Sequence, residues 1–194
     1  MTVNKYEILK SICQARKSVR HFSGKEVPED SIQKIIEIAR TSPYASGLMN
    51  WDIEVVKSNE VISQMAECIR QKADKISLLV REDLRQGFLN YSKNFTFFKN
   101  APVIFILTFR VSPVMKAMMG NNAEAEVMQW ERDNFTKSIS CVAMLVLLAA
   151  ESLGYGACYM TGPLIAQNEI MALLKVRPGR EIGAVIPIGF KETQ

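Results

Sequence analysis

Histidine is almost missing from this chain: His21 is the only one in 194 residues. A zinc site built from several histidines is therefore excluded, and a Ser-His-Asp triad would have to use that one residue. No Gly-x-x-x-x-Gly-Lys-Ser/Thr loop occurs, nor a Gly-x-Gly-x-x-Gly following a strand, so the phosphate-loop and Rossmann fingerprints are both lacking. The carboxylates are scattered, and no pair stands out as an acid/base set. There is no long run of one charge. A formal net charge of +4 falls well short of the dense basic footprint of a nucleic-acid binder. The four cysteines, Cys13, Cys68, Cys141 and Cys158, form no Cys-x-x-Cys pair. Three lie in apolar segments, where a reduced thiol behaves as a small hydrophobe, and they read as free thiols of a cytoplasmic protein. The opening MTVNKYEILKSIC has no apolar stretch after a basic start, so no signal peptide is expected. The most apolar run, Ile139 to Ala150, falls short of the roughly 20 residues that cross a bilayer.

What is present is ordinary globular composition, 48% hydrophobic and 23% charged, with length enough for one domain over residues 1–194. Ile32, Ile35, Ile36 and Ala39 fall at helical spacing after the start signal Pro28-Glu29-Asp30. Ile62, Met65, Ala66 and Ile69 share the face of a second helix. The region 74–100 starts helical and then turns irregular and aromatic, with Tyr91, Phe95, Phe97 and Phe98. DIEVVK, YGACYM and EIGAVIPIGF read as strands, and APVIFILTF as a central strand buried on both faces. Residues 122–153 read as a long helix that Gly154 terminates. Its stretch Ile139 to Ala150 is apolar all round, which predicts burial in a core or between subunits. Asn168 is the expected N-cap of a last helix. Strands alternating with helices predict helices covering a sheet.

Three stretches invite a functional reading. In ARKSVRHFSGKEVP, Arg16, Lys17, Ser18 and Arg20 crowd into five residues; if helical, Arg16 and Arg20 share a face. Such cations and a hydroxyl can cradle a phosphate, and they equally suit a solvated basic helix end. In GYGACYMTGP, glycines flank a short strand, which lets a ligand approach the backbone or simply makes two turns. The loop SPYASGLMNW is small, nearly neutral and ends on a tryptophan. The Met-rich segment 114–130 is either a lid or ordinary helix packing.

Together these stretches resemble the FMN-dependent nitroreductase family along nearly the whole chain. The resemblance is carried by the Arg-x-Ser-x-Arg-x-Phe opening, the Val-Pro before a helix that ends in a small-residue loop, and the Leu-Gly-x-Gly that closes the long helix. It implies an α+β fold, a three-layer α/β/α sandwich with a mainly antiparallel central sheet, and a homodimer with FMN at the subunit interface. Carried over residue by residue, Arg16, Lys17 and Ser18 match holders of the FMN phosphate and ribityl chain. Arg20 matches a cation facing the pyrimidine side of the flavin. Pro43, Tyr44, Ala45, Ser46 and Gly47 match the loop that meets FMN from the other subunit, and Met160, Thr161 and Gly162 match the segment along the ring. The implied reaction takes a hydride from NADH or NADPH through flavin N5 to a small-molecule oxidant, a nitroaromatic or quinone. No metal, nucleic acid or membrane partner is expected. Flavin storage, dehalogenation and flavin fragmentation stay open as alternatives on the same scaffold. Gly47, Met49 and Asn50 depart from the residues common in the family, and Lys191 is a candidate for a late basic phosphate ligand.

Overall fold

The computed structural model describes residues 4–47, 49–112 and 114–192. Four antiparallel strands form one sheet: β1 (Trp51–Val56), β2 (Val103–Arg110), β3 (Gly156–Ala157) and β4 (Arg180–Gly189), in the spatial order β1-β2-β4-β3. Every residue of β2 from Val103 to Phe109 is buried. An interior strand covered on both faces has no polar face to alternate with, which is why its sequence is a continuous apolar run. Alternate β2 residues then serve two separate cores. Val103, Phe105, Leu107 and Phe109 pack under α2 (Glu29–Ala39) and α6 (Ala125–Ser152) with Ile32, Ile35, Val142 and Val146. Ile104 and Ile106 face the other way, toward Ile62, Met65 and Ile69 of α3 (Asn59–Ser77), toward Phe98, and toward Ile170 of α7 (Gln167–Leu173). Two cores on one sheet make the expected three-layer sandwich. Truncating one of these fully buried side chains to alanine costs about 2–5 kcal/mol.

The remaining helices are α1 (Lys5–Ala15), α4 (Glu82–Ser92) and the short α5 (Val114–Met119). A 3₁₀ stretch, Lys93–Asn100, carries the aromatic segment and buries Phe95 and Phe98. α6 ends in a Schellman arrangement: Gly154 takes φ +84°, its N–H donates to the Glu151 carbonyl, and the Tyr155 N–H donates to the Ala150 carbonyl at 2.9 Å.

Several expectations change. α6 is the one helix among the described residues long and apolar enough to cross a membrane, although its apolar core run is too short by itself; it lies against the sheet instead. Within one protomer it is not buried all round, for Ser140, Cys141 and Met144 are exposed, so the core covers only part of its surface. Of the four thiols only Cys158 is buried; Cys13 and Cys141 are exposed and Cys68 is intermediate, so the apolar setting of a cysteine did not imply its burial. Ala166 rather than Asn168 caps α7, because a 3₁₀ turn over Gly162–Ala166 leads directly into the helix and leaves Asn168 inside it.

Candidate functional site

The basic stretch does not lie on one helix. α1 stops at Ala15, and Arg16 is already its C-cap with an extended ψ of 119°. Arg16 and Arg20 therefore do not share a helix face. The following residues run as an extended strap beside β3: Ser18 bridges Ala157 in parallel, and the Val19 N–H donates to the Ala157 carbonyl at 3.0 Å. Phe22 is buried and bridges Lys191. The strap is thereby fastened to the sheet edge at both ends, which brings its cations to the segment after β3.

That segment is held in turn by β4. The Met160 N–H donates to the Val185 carbonyl, and the Val185 N–H donates back, both at 3.0 Å. Strap and segment border a cavity of about 410 Å³ whose lining includes Arg20, Phe95, Phe97, Cys158 and Met160–Gly162. The Arg20 guanidinium sits 5.5 Å from the centre of the Phe97 ring, a cation–π contact. Burial pushes the Cys158 thiol above its ordinary pKa, while the Ser18 hydroxyl and the charges of Arg20 and Arg16 pull it partly back. Arg20 lines the cavity, and the pairing of Ser18 with Ala157 holds the preceding part of the strap beside Cys158. Lys17 is exposed beside them.

The glycines of this stretch serve packing rather than open approach by a ligand. A Cβ on Gly156 would stand 2.7 Å from Val19, and one on Gly162 would stand 2.3 Å from the Phe95 ring. Gly156 lets the strap lie against β3, and Gly162 lets the cavity floor lie against Phe95. The Met160 N–H is already spent on β4. Among the described residues, the N–H groups of Thr161 and Gly162 have no backbone acceptor, so they are the donors a ligand in the cavity could use.

The loop 43–47 lies elsewhere in the protomer. Ala45 donates its N–H to the Ser138 hydroxyl of α6 at 3.0 Å. The Tyr44 ring packs between Trp51 and Phe135, with centroids at 6.4 and 6.1 Å, and burial pushes its phenol well above its ordinary pKa. Its side chain therefore belongs to the core in this protomer. Pro43 is exposed, and the Ser46 side chain lies outside the described residues, as does Leu48. Gly47 takes φ +63°, a left-handed conformation that both glycine and asparagine tolerate. Asn50 donates to the Arg110 carbonyl at 2.9 Å and to the Ser112 hydroxyl at 3.2 Å, so it ties the loop to the end of β2. Among the described residues, no hydrogen bond or shared cavity joins this loop to Arg16–Arg20. Trp51 is core, as expected.

Lys191 is not a free cation. Its Nζ donates to both Glu151 carboxylate oxygens, at 2.8 and 2.9 Å. Sequence reasoning also passed over Cys158, Tyr91 and Asn94 as cavity residues. The signal for Cys158 was its place inside the glycine-flanked strand; Tyr91 and Asn94 needed the tertiary fold.

A cofactor with a phosphate, a chain and a flat ring fits this arrangement. The strap Arg16–Arg20 runs beside a cavity that has a cation on an aromatic platform and, among the described residues, two backbone donors without a backbone acceptor.

Comparison with known proteins bears on the family and the fold. The nitroreductase family model matches residues 13–190. An iodotyrosine deiodinase from Hydra vulgaris is 26% identical over 91% of this chain and 62% of its own length. The chain spans about three-fifths of the deiodinases it matches. A protein of Methanothermobacter thermautotrophicus, provisionally assigned as an NADH dehydrogenase/NAD(P)H nitroreductase, is 28% identical over 97% of this chain and 79% of its own. The crystal structure of a BluB-like flavoprotein from Clostridium difficile 630 superposes with a TM-score of 0.84 at 26% identity, covering 96% of this chain and 91% of that one. Other structures of the same fold are of nitroreductases with bound FMN.

Proposed function

This chain belongs to the nitroreductase family, and from that premise we propose that it is an FMN-dependent oxidoreductase using NADH or NADPH to reduce a small oxidant. The observation that carries the proposal is the strap that pairs Ser18 with Ala157 and sets Arg20 in the wall of the cavity that Met160–Gly162 line. Arg16 and Ser18, with Lys17, hold the phosphate and the adjoining chain; an arginine fork suits a phosphate, and the lysine adds a point charge. Arg20, resting on Phe97, presents a fixed positive charge to the ring end of the site and favours negative charge developing there. Thr161 and Gly162 offer backbone N–H groups that orient the ring. Bound FMN supplies the two-electron chemistry, and the protein supplies position and electrostatics. An acid/base pair is not required of the side chains, which matches their scatter.

The loop Pro43–Gly47 completes the site of a second subunit in this reading, because it cannot reach its own protomer's strap. The small oxidant is a nitroaromatic, a quinone or a similar acceptor.

The test is direct. The purified protein is yellow, or becomes so with FMN, and anaerobic NADH or NADPH bleaches it. A protein that stays colourless and leaves FMN fluorescence unquenched overturns the proposal; a bound flavin that neither nucleotide bleaches converts it to flavin storage. A second reading, reductive dehalogenation, is favoured by the deiodinases among the relatives. Halide release from 3-iodo-L-tyrosine with chemically reduced protein separates it from the first.

A further inference from the structure

α6 carries two side-chain acceptors on one face. Glu131 and Ser138 are seven residues apart, roughly two helical turns, so they point the same way. The Ser138 hydroxyl donates to the Asn134 carbonyl at 2.8 Å and accepts the Ala45 N–H at 3.0 Å. Glu131 Oε1 accepts the Met115 N–H, also at 3.0 Å. One face of the long helix thus holds the loop 43–47 by one backbone N–H and α5 by another. Ala45, Met115, Glu131 and Ser138 border the same cavity, so the loop and α5 are neighbours.

The placing of α5 depends on this contact. The N–H groups of a first helical turn have no acceptor inside the helix. α5 buries none of its residues, and among the described residues Glu131 makes the one side-chain hydrogen bond to it. Glu131 is itself only 6% exposed. Its Oε2 is sealed from solvent and has no partner among the described residues. A buried oxygen in that state costs stability, so packing by itself favours an apolar side chain at this position. What a carboxylate does here, and an apolar side chain cannot, is hold the Met115 N–H.

We propose that Glu131 is a positioning residue for the oxidant: it fixes α5 beside the loop 43–47, and so beside the flavin that this loop meets on the partner subunit. The inference rests on the FMN-dependent reading above. Glu131 does not touch the reacting atoms; it acts through α5.

Two measurements on the purified full chain test it. In the first, protein reduced with stoichiometric dithionite is mixed anaerobically with menadione, and flavin reoxidation is followed against menadione concentration. Glu131→Met, similar in bulk but without an acceptor, is expected to raise the half-saturating concentration about tenfold, because a misplaced wall costs binding, while FMN affinity stays at the parent value. Glu131→Gln, which keeps one oxygen for Met115, is expected to stay near the parent. In the second, hydrogen exchange of the Met115 amide is expected to quicken about tenfold in Glu131→Met and not in Glu131→Gln. Should Glu131→Met not fold, Met115→Pro withdraws the same N–H from a first turn, where proline is tolerated, and is expected to give the same rise in half-saturation, with Met115→Leu as the side-chain control. Parent half-saturation or parent exchange in Glu131→Met, equal impairment of Glu131→Gln, or loss of FMN in step with the menadione effect overturns the inference and leaves the FMN reading in place. A parent chain that binds no FMN overturns both together.

Discussion

Arg16 and Arg20 are four residues apart in sequence and differ in setting, and the difference predicts different roles. Arg16 caps α1 and is half-buried, whereas Arg20 is exposed over Phe97. Arg16→Ala is expected to weaken FMN binding about tenfold or more, as loss of a charge-assisted contact does. Arg20→Ala is expected to slow reduction by NAD(P)H about tenfold while changing FMN affinity much less. Fluorescence titration and anaerobic stopped-flow mixing measure the two effects; equal losses of affinity with no difference in reduction rate contradict the division. Neighbouring positions show why residue type alone was an incomplete guide. Glycines 156 and 162 invited a ligand-approach reading, yet each is small because a neighbouring side chain, Val19 or Phe95, already occupies the space.

At the level of the element, the helices were the most legible part of the chain. Ile32, Ile35 and Ala39 on α2, and Ile62, Met65 and Ile69 on α3, are buried at the spacing their periodicity demands. The helix end at Gly154 was legible too, because left-handed backbone selects glycine locally. The strap Lys17–Phe22 was not: its conformation is set by partners more than 130 residues away, Ala157 and Lys191. Two glycines separate these local and distant causes. Gly87 lies inside α4, exposed, with nothing within 4 Å of a built Cβ, so Gly87→Ala is expected to stabilise by about 0.5–1 kcal/mol. Gly162→Ala drives a methyl into Phe95 and is expected to destabilise by about 1–3 kcal/mol. Urea denaturation of the two variants reads the opposite signs.

For the whole molecule, the proposed cofactor site draws on two copies of the chain. The cationic strap and the loop 43–47 lie in separate places on one protomer, so in that proposal one copy offers only part of the site. α1 buries none of its residues and exposes Tyr6, Ile8 and Leu9, and α6 exposes Cys141 and Met144. Apolar surface of this kind in a helix otherwise packed on a core suits a subunit interface. Sedimentation is expected to give a dimer, and Met144→Arg, which places a charge on that face, is expected to shift it toward monomer and to release FMN in parallel. A parent chain that sediments as a monomer, or a monomeric variant that keeps FMN, contradicts the two-subunit site.

The order of the four strands and of α2, α3, α6 and α7, the doubly buried β2, the faces of α2 and α3 and the end of α6 follow from the sequence, because each depends on local conformational preference or on a repeating apolar pattern. The basic strap and the small-residue loop could be picked out as chemically unusual for the same reason. Which of them stand together was decided only by the tertiary structure. The strap meets Cys158 because it is stitched to β3, Lys191 is claimed by Glu151, Tyr44 turns into the core, and one carboxylate oxygen of Glu131 has no partner among the described residues. These are contacts between distant parts of the chain, and a contact's partner is not encoded in the type or spacing of either residue alone.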